Sequence, residues 1–192
     1  GDTSELGYPL VFTSTLDGFG FWNSDQINLI KIESNDILDT ATAVALSAES
    51  PKAIATGSIN FDFDNNRDVD ATEDVDLYAF DLAAGDTIRL DLDAAGDTMP
   101  VDLAELILFD SAGNNLAVGS FSNPGPDDAF SSFLPYIEFT ATEAGTYYAG
   151  VSATFNLAYD PFTAGSGNGT TFESFNFNGF GDYTLGLELV SD

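Results

Sequence analysis

Three observations predict an all-β fold, an antiparallel β-sandwich of jelly-roll or Greek-key type with long loops and at most one short helix. Apolar and polar residues alternate with a period of two over much of the chain. Glycine-containing turns recur between the alternating runs. The aromatic content is 17 Phe and 7 Tyr against one Trp, the weighting of pleated surfaces. At 192 residues and 44% hydrophobic the chain can bury a core, so its charge does not imply disorder. The length suits one domain, read as a core over 33–190 with residues 1–32 as an N-terminal extension packed on it.

Taken in order, residues 1 to 30 are irregular, with apolar runs at 9–12 and 27–32 around a Gly-aromatic stretch, Phe19-Gly20-Phe21-Trp22. Residues 33–46 hold the single helix candidate. Asn35 or Asp36 is positioned to cap it, and frequent Thr weakens it. From residue 54 the period is two. In 75–82, Tyr78, Phe80 and Leu82 share a face. In 86–93, Ile88, Leu90 and Leu92 oppose Arg89, Asp91 and Asp93, the pattern of a half-buried strand. The turn Ala83-Ala84-Gly85-Asp86 between them predicts a hairpin. Residues 103–109 form another strand, ending in Asp110-Ser111-Ala112-Gly113-Asn114. A second hairpin is expected from 136–140 and 146–152 around Glu143-Ala144-Gly145. Residues 182–190 close the set, with Tyr183, Leu185, Leu187 and Leu189 on one face. Two long connections, 120–129 and 156–181, have the length of functional loops.

The charge excludes whole classes of function. With 32 acidic and 4 basic side chains the net charge is −28, and there is no His and no Cys. Such a surface repels nucleic-acid backbones. Without His or Cys there is no Cys/His zinc site, no thiol chemistry and no His general base. A disulfide framework is excluded too. No apolar run approaches the roughly 18 residues of a transmembrane helix, so membrane insertion is not expected. The polar start at Gly1 shows no signal peptide and reads as a mature or excised module.

The acid is mostly Asp, 23 against 9 Glu. Asp favours loops and turns, where short carboxylates converge on a hard cation. Asp62 to Asp76 holds seven acids and two Asn in fifteen residues. The spacing is not that of an EF-hand, which needs its Gly and terminal Glu. Asp62 with Asp64, and Asp74 with Asp76, alternate, so each pair can point to one side of an extended chain, and Asp68 and Asp70 lie in the same cluster between them. Glu73 stands beside the last pair. The competing reading is a solvated acidic loop. Asp127 and Asp128, with Asp97 and Asp102, form a weaker acidic group that suits a solvated loop tip.

A ligand surface is read in the aromatic loops. Trp22 with Phe19 and Phe21 is one group. Tyr159-Asp160-Pro161-Phe162, a Gly/Ser run, and Phe172, Phe175, Phe177 and Phe180 form another. Aromatics supply contact area and Gly lets a ligand approach the backbone. The alternative is a satellite core under a long loop. No spacing among the acids singles out an acid–base pair, and no His can activate Ser166, so no catalytic residue and no enzyme activity are expected.

The ordered series Glu33-Ser34-Asn35-Asp36, Gly57-Ser58-Ile59, Glu73-Asp74-Val75-Asp76-Leu77-Tyr78, Leu82-Ala83-Ala84-Gly85-Asp86, Leu106-Ile107-Leu108-Phe109-Asp110, Gly145-Thr146-Tyr147-Tyr148 and Gly181-Asp182-Tyr183 resembles the bacterial pre-peptidase C-terminal domain family over about 33–190. The version with Tyr159-Asp160-Pro161-Phe162 also looks like modules of large calcium-dependent RTX-type adhesins of marine bacteria. The resemblance implies a β-sandwich, secretion and calcium, with Glu33, Asn35 and Asp36 matching one acidic segment and Glu73, Asp74 and Asp76 the other. The expected job is calcium-dependent binding of a peptide, protein or glycan on another cell surface, by a monomeric module within a larger, cell-surface-associated chain. The contact residues would be Trp22, Asp127, Asp128, Tyr159, Phe162, Phe175 and Phe177. An accessory C-terminal domain of a secreted protease or other hydrolase is the first alternative. A calcium-stiffened spacer that binds nothing is the second.

Overall fold

The computed structural model describes residues 35–59, 73–95, 104–119, 125–126, 134–167 and 181–190. Nine strands run in chain order: β1 (Thr42–Ala43), β2 (Lys52–Ile59), β3 (Val75–Leu82), β4 (Thr87–Ala94), β5 (Ala104–Asp110), β6 (Asn115–Gly119), β7 (Tyr136–Thr140), β8 (Gly145–Ala153) and β9 (Gly181–Val190). They form two sheets, β1-β3-β8-β5-β6 and β2-β9-β4-β7, packed as a sandwich. All neighbours are antiparallel except the two-residue β1, which runs parallel to β3.

The alternation read in the sequence lines the space between the sheets. Tyr78, Phe80 and Leu82 face Ile88, Leu90, Leu92, Tyr183, Leu185 and Leu187 there, joined by Leu106, Leu108, Ala149 and Val151. The five-stranded sheet is also covered on its outer face. Val75, Leu77, Ile107 and Phe109 pack with Leu38 and Tyr159 in a second cluster. This is why β5 is buried from Ala104 through Phe109, with no polar face to alternate.

The two expected hairpins are corners instead. β3 and β4 lie in different sheets, as do β7 and β8. A four-residue Gly turn reverses the chain equally well in either geometry, and distant strands decide the partner. Here β3 takes β8, and β4 takes β9 and β7. The corners brace each other: Gly85 N–H donates to Ala141 O and Ala141 N–H to Asp86 O, both at 2.8 Å. Gly85 holds φ +96°, the left-handed geometry that glycine takes without a steric cost. Among the described strands only β5 and β6 stay in one sheet as a hairpin.

The expected helix is reduced to a 3-10 turn, Leu38–Thr40. Its cap position is Ile37, with no side-chain cap, so neither Asn35 nor Asp36 caps it. The chain then leaves as β1, where Thr42 and Ala43 pair with Tyr78 and Ala79. β-Branched Thr suits that extended exit better than a helix. Among the described residues no helix is long and apolar enough to cross a membrane.

Candidate functional site

Asp76 is the second residue of β3 and shares its inward face with Tyr78 and Phe80. An acid on a core face needs donors, because burying an unpaired carboxylate is costly. Asp76 is 2% exposed and finds two. Asn35 Nδ2 donates to Oδ1 at 2.9 Å, and Tyr183 Oη donates to Oδ2 at 2.5 Å. The Tyr183 and Tyr78 hydroxyls share a further hydrogen bond of 2.8 Å. Tyr183 belongs to the other sheet, so Asp76 ties the sheets together. Burial and the adjacent Asp76 carboxylate push the Tyr183 phenol well above its ordinary value.

Asn35 makes a second contact with β3. Its carbonyl accepts the Leu77 N–H at 2.9 Å. The segment 35–38 is thereby fixed along the start of β3, beside half-exposed Asp74 and exposed Glu73. The loop 159–167 adjoins the same region. Pro161 O accepts the Leu38 N–H at 2.9 Å, and a Cβ built on Gly165 would lie 3.6 Å from Glu73 Oε2. Asp160 orders this loop by accepting from Phe162 N–H and Thr163 Oγ1 at 3.0 Å each. Ser166 Oγ closes it, accepting from Asp160 N–H and donating to Asp160 O.

Asn35, Asp36, Glu73, Asp74 and Asp76 thus converge on one end of the five-stranded sheet. Asn35 and Asp76 are joined directly. Among the described residues no three acids stand close enough to hold a metal ion. Glu33, Asp62, Asp64, Asp68 and Asp70 lie outside the described residues, as do Trp22, Asp127, Asp128, Phe175 and Phe177. The donors that are described are hard oxygens, the chemistry of calcium rather than of a soft metal. Asp76 already accepts two side-chain donors, so it braces the site more than it offers a free carboxylate.

The aromatic loop divides into core and surface. Tyr159, expected as a ligand contact, is instead buried in the second cluster, edge-on to Phe109 with ring centroids 5.6 Å apart. Its hydroxyl has no hydrogen-bond partner among the described residues, and burial pushes its phenol far up. Phe162 stays 53% exposed and leans over Gly113 in the β5–β6 turn. Phe155 and Leu157 are exposed as well.

Sequence reasoning missed two polar groups. One is Tyr183 as the partner of Asp76. Its signal was present, since Asp76 shares a face with Tyr78, Phe80 and Leu82. The other is Glu105, 4% exposed on the outer face of β5. It accepts the N–H of Phe155, the one described non-glycine residue with positive φ, +63°, at 2.9 Å. An acid inside an apolar run at 103–109 carried the hint.

Among solved structures the chain is similar to a periplasmic inhibitor of g-type lysozyme from Aeromonas hydrophila, at 13% identity and a TM-score of 0.43, over 78% of this chain and 96% of that one. It is similar to the pre-peptidase C-terminal domain of a Bacillus anthracis collagenase at 18% identity and a TM-score of 0.43, over 77% and 94%. No curated protein matches the sequence. Residues 74–153, from the residue before β3 to the last residue of β8, match the model of the bacterial pre-peptidase C-terminal domain.

Proposed function

We propose that the chain is a calcium-dependent module that binds a peptide or protein for a secreted bacterial surface adhesin. The observation that carries this reading is the docking of Asn35 against Asp76, which sets segment 35–38 beside Glu73 and Asp74 at the end of the acid-rich stretch. Glu33, Asn35, Asp36, Asp62, Asp64, Asp68, Asp70, Glu73 and Asp74 would hold the ion, with Asp76 orienting Asn35. Calcium would relieve repulsion among these carboxylates and offer a positive pole to a ligand carboxylate. The exposed ring of Phe162 sits on a loop next to Glu73 and supplies apolar contact. The role is binding, with no catalytic step.

A second reading, an accessory domain of a secreted protease or other hydrolase, is favoured by the family matched at 74–153. Both readings share the calcium site and differ in the neighbouring domain. Calorimetric titration of the chelated protein with calcium tests that site. Binding heat with a rise in melting temperature is expected. Absence of both removes calcium. A peptide and glycan array run with calcium and with chelator then tests recognition, and capture of nothing under either condition favours the spacer role.

A further inference from the structure

The four-stranded sheet ends in β2, an eight-residue strand with β9 on one side and no described strand on the other. The hydrogen-bond phase of that edge follows from one bond. Leu189 N–H donates to Pro51 O at 2.7 Å, and the register pairs Lys52 with Glu188. In an antiparallel ladder, hydrogen-bonded pairs recur every second residue. Ala53, Ala55, Gly57 and Ile59 therefore direct their N–H and C=O groups to β9. Lys52, Ile54, Thr56 and Ser58 direct theirs away from the sheet, and no backbone partner for them is found among the described residues.

The other sheet edges are short or covered. β1 has two residues. β6 approaches β7 across the sandwich: a Cβ on Gly119 would lie 2.8 Å from Pro135 Cβ and 3.3 Å from Tyr136 O. Edges are commonly protected by charge, Pro or a bulge. β2 has Lys52 at its first position, already bridged to Glu188 at 2.9 Å, and then seven residues with no charge and no Pro. Ile54, in the middle of the bare stretch, is 76% exposed.

We propose that the β2 edge is a docking strand for an extended, cationic peptide segment, which adds to the sheet through the outward backbone groups of Lys52, Ile54, Thr56 and Ser58 and packs an apolar side chain on Ile54. The charge selects the occupant. A chain of net charge −28 attracts a basic segment and repels a second copy of itself. Strand addition obtains affinity from main-chain bonds and specificity from alternate side chains. This inference rests on the peptide-binding reading above but not on its calcium.

The test uses the full chain and a capped decapeptide alternating Lys with Val. Its control is the same peptide N-methylated at two adjacent central residues, which blocks both of its edges at equal charge. Hydrogen exchange at the Ile54, Thr56 and Ser58 amides is expected to be fast in the free protein and to slow at least tenfold with peptide. N-methylation, Thr56→Pro and Ile54→Lys should each weaken binding at least tenfold. Thr56→Pro removes an outward donor while sparing the β9 ladder. Ile54→Lys, at an exposed side chain, keeps the test decisive where Pro disturbs the strand. Equal binding of the N-methylated peptide, or protection of these amides before peptide is added, overturns the inference. A concentration-dependent dimer that protects them overturns it in favour of a second copy. Repeating the titration in chelator separates the two readings. Protection of the edge without calcium removes only the calcium claim, whereas peptide binding without protection of the edge removes only the docking strand.

Discussion

At the residue scale, two buried carboxylates behave in opposite ways. Asp76 is surrounded by donors. Asp76→Ala leaves the Asn35 amide and the Tyr183 hydroxyl short of an acceptor and should cost about 1–3 kcal/mol, read from urea unfolding. Tyr183→Phe removes the bond to Asp76 together with the one to Tyr78, keeps the Asn35–Asp76 bond, and should cost a similar amount. Glu105 has one backbone donor against heavy burial, and burial raises its carboxyl above the ordinary 4.5. The folded chain therefore holds this proton more tightly than the unfolded chain. Stability falls as pH climbs from about 4.5 through the raised value. Glu105→Gln keeps an acceptor for Phe155 without the charge. It should flatten that fall and lift the melting temperature at pH 7 by roughly 2–4 °C, the shift that about 1 kcal/mol produces at this size. Calorimetry across pH 4 to 8 on both proteins checks the slope.

At the scale of elements, close approaches set the tolerances. Tyr183 lies over Gly57, its register partner, so a Cβ there would collide with the Tyr183 ring and with Tyr78 Oη. Gly57→Ala should destabilise by about 1–3 kcal/mol, visible as a lower denaturant midpoint at an unchanged slope. The loop 159–167 is held by Asp160 and Ser166, away from the main core. Ser166→Ala should leave the melting temperature within about a degree while speeding proteolytic cleavage within the loop. Strand positions were legible because period-two patterning is local: 75–82, 136–140 and 182–190 are each recovered within a residue. Strand partners were not legible. The turns at 83–86 and 143–145 look identical whether the next strand pairs with the last one or joins the opposite sheet. The helix signal at 33–46 failed because tertiary bonds from Asn35 to β3 outweighed a weak local preference. The site was half legible. The alternation of acids placed Asp76 correctly on the strand. Its service to Tyr183, 107 residues away, depends on sheet packing that no local pattern encodes.

At the scale of the molecule, the unbalanced charge works against compactness. Two of the four cations, Lys52 and Arg89, lie in one register row, Lys52–Glu188–Arg89–Glu138, across all four strands of the second sheet. Arg89 Nε reaches Glu138 at 2.7 Å and Lys52 Nζ reaches Glu188 at 2.9 Å. These exposed pairs stabilise little singly. Most of the remaining acid repels itself, so the melting temperature should climb by several degrees between ~0.01 M and ~1 M NaCl, as the screening length shrinks from ~30 Å to ~3 Å. A flat salt response in a thermal scan contradicts this. The same sheet has a consequence in time. β9, the last described strand to be synthesised, sits between β2 and β4. Until it emerges, β2 has no neighbour among the described strands and β4 lacks one. A chain growing from its N-terminus would carry β2, β4 and β7 without β9, the strand that joins β2 to the other two. The second sheet is thereby assembled only after β9 has been made, whereas every described strand of the first sheet is available before it.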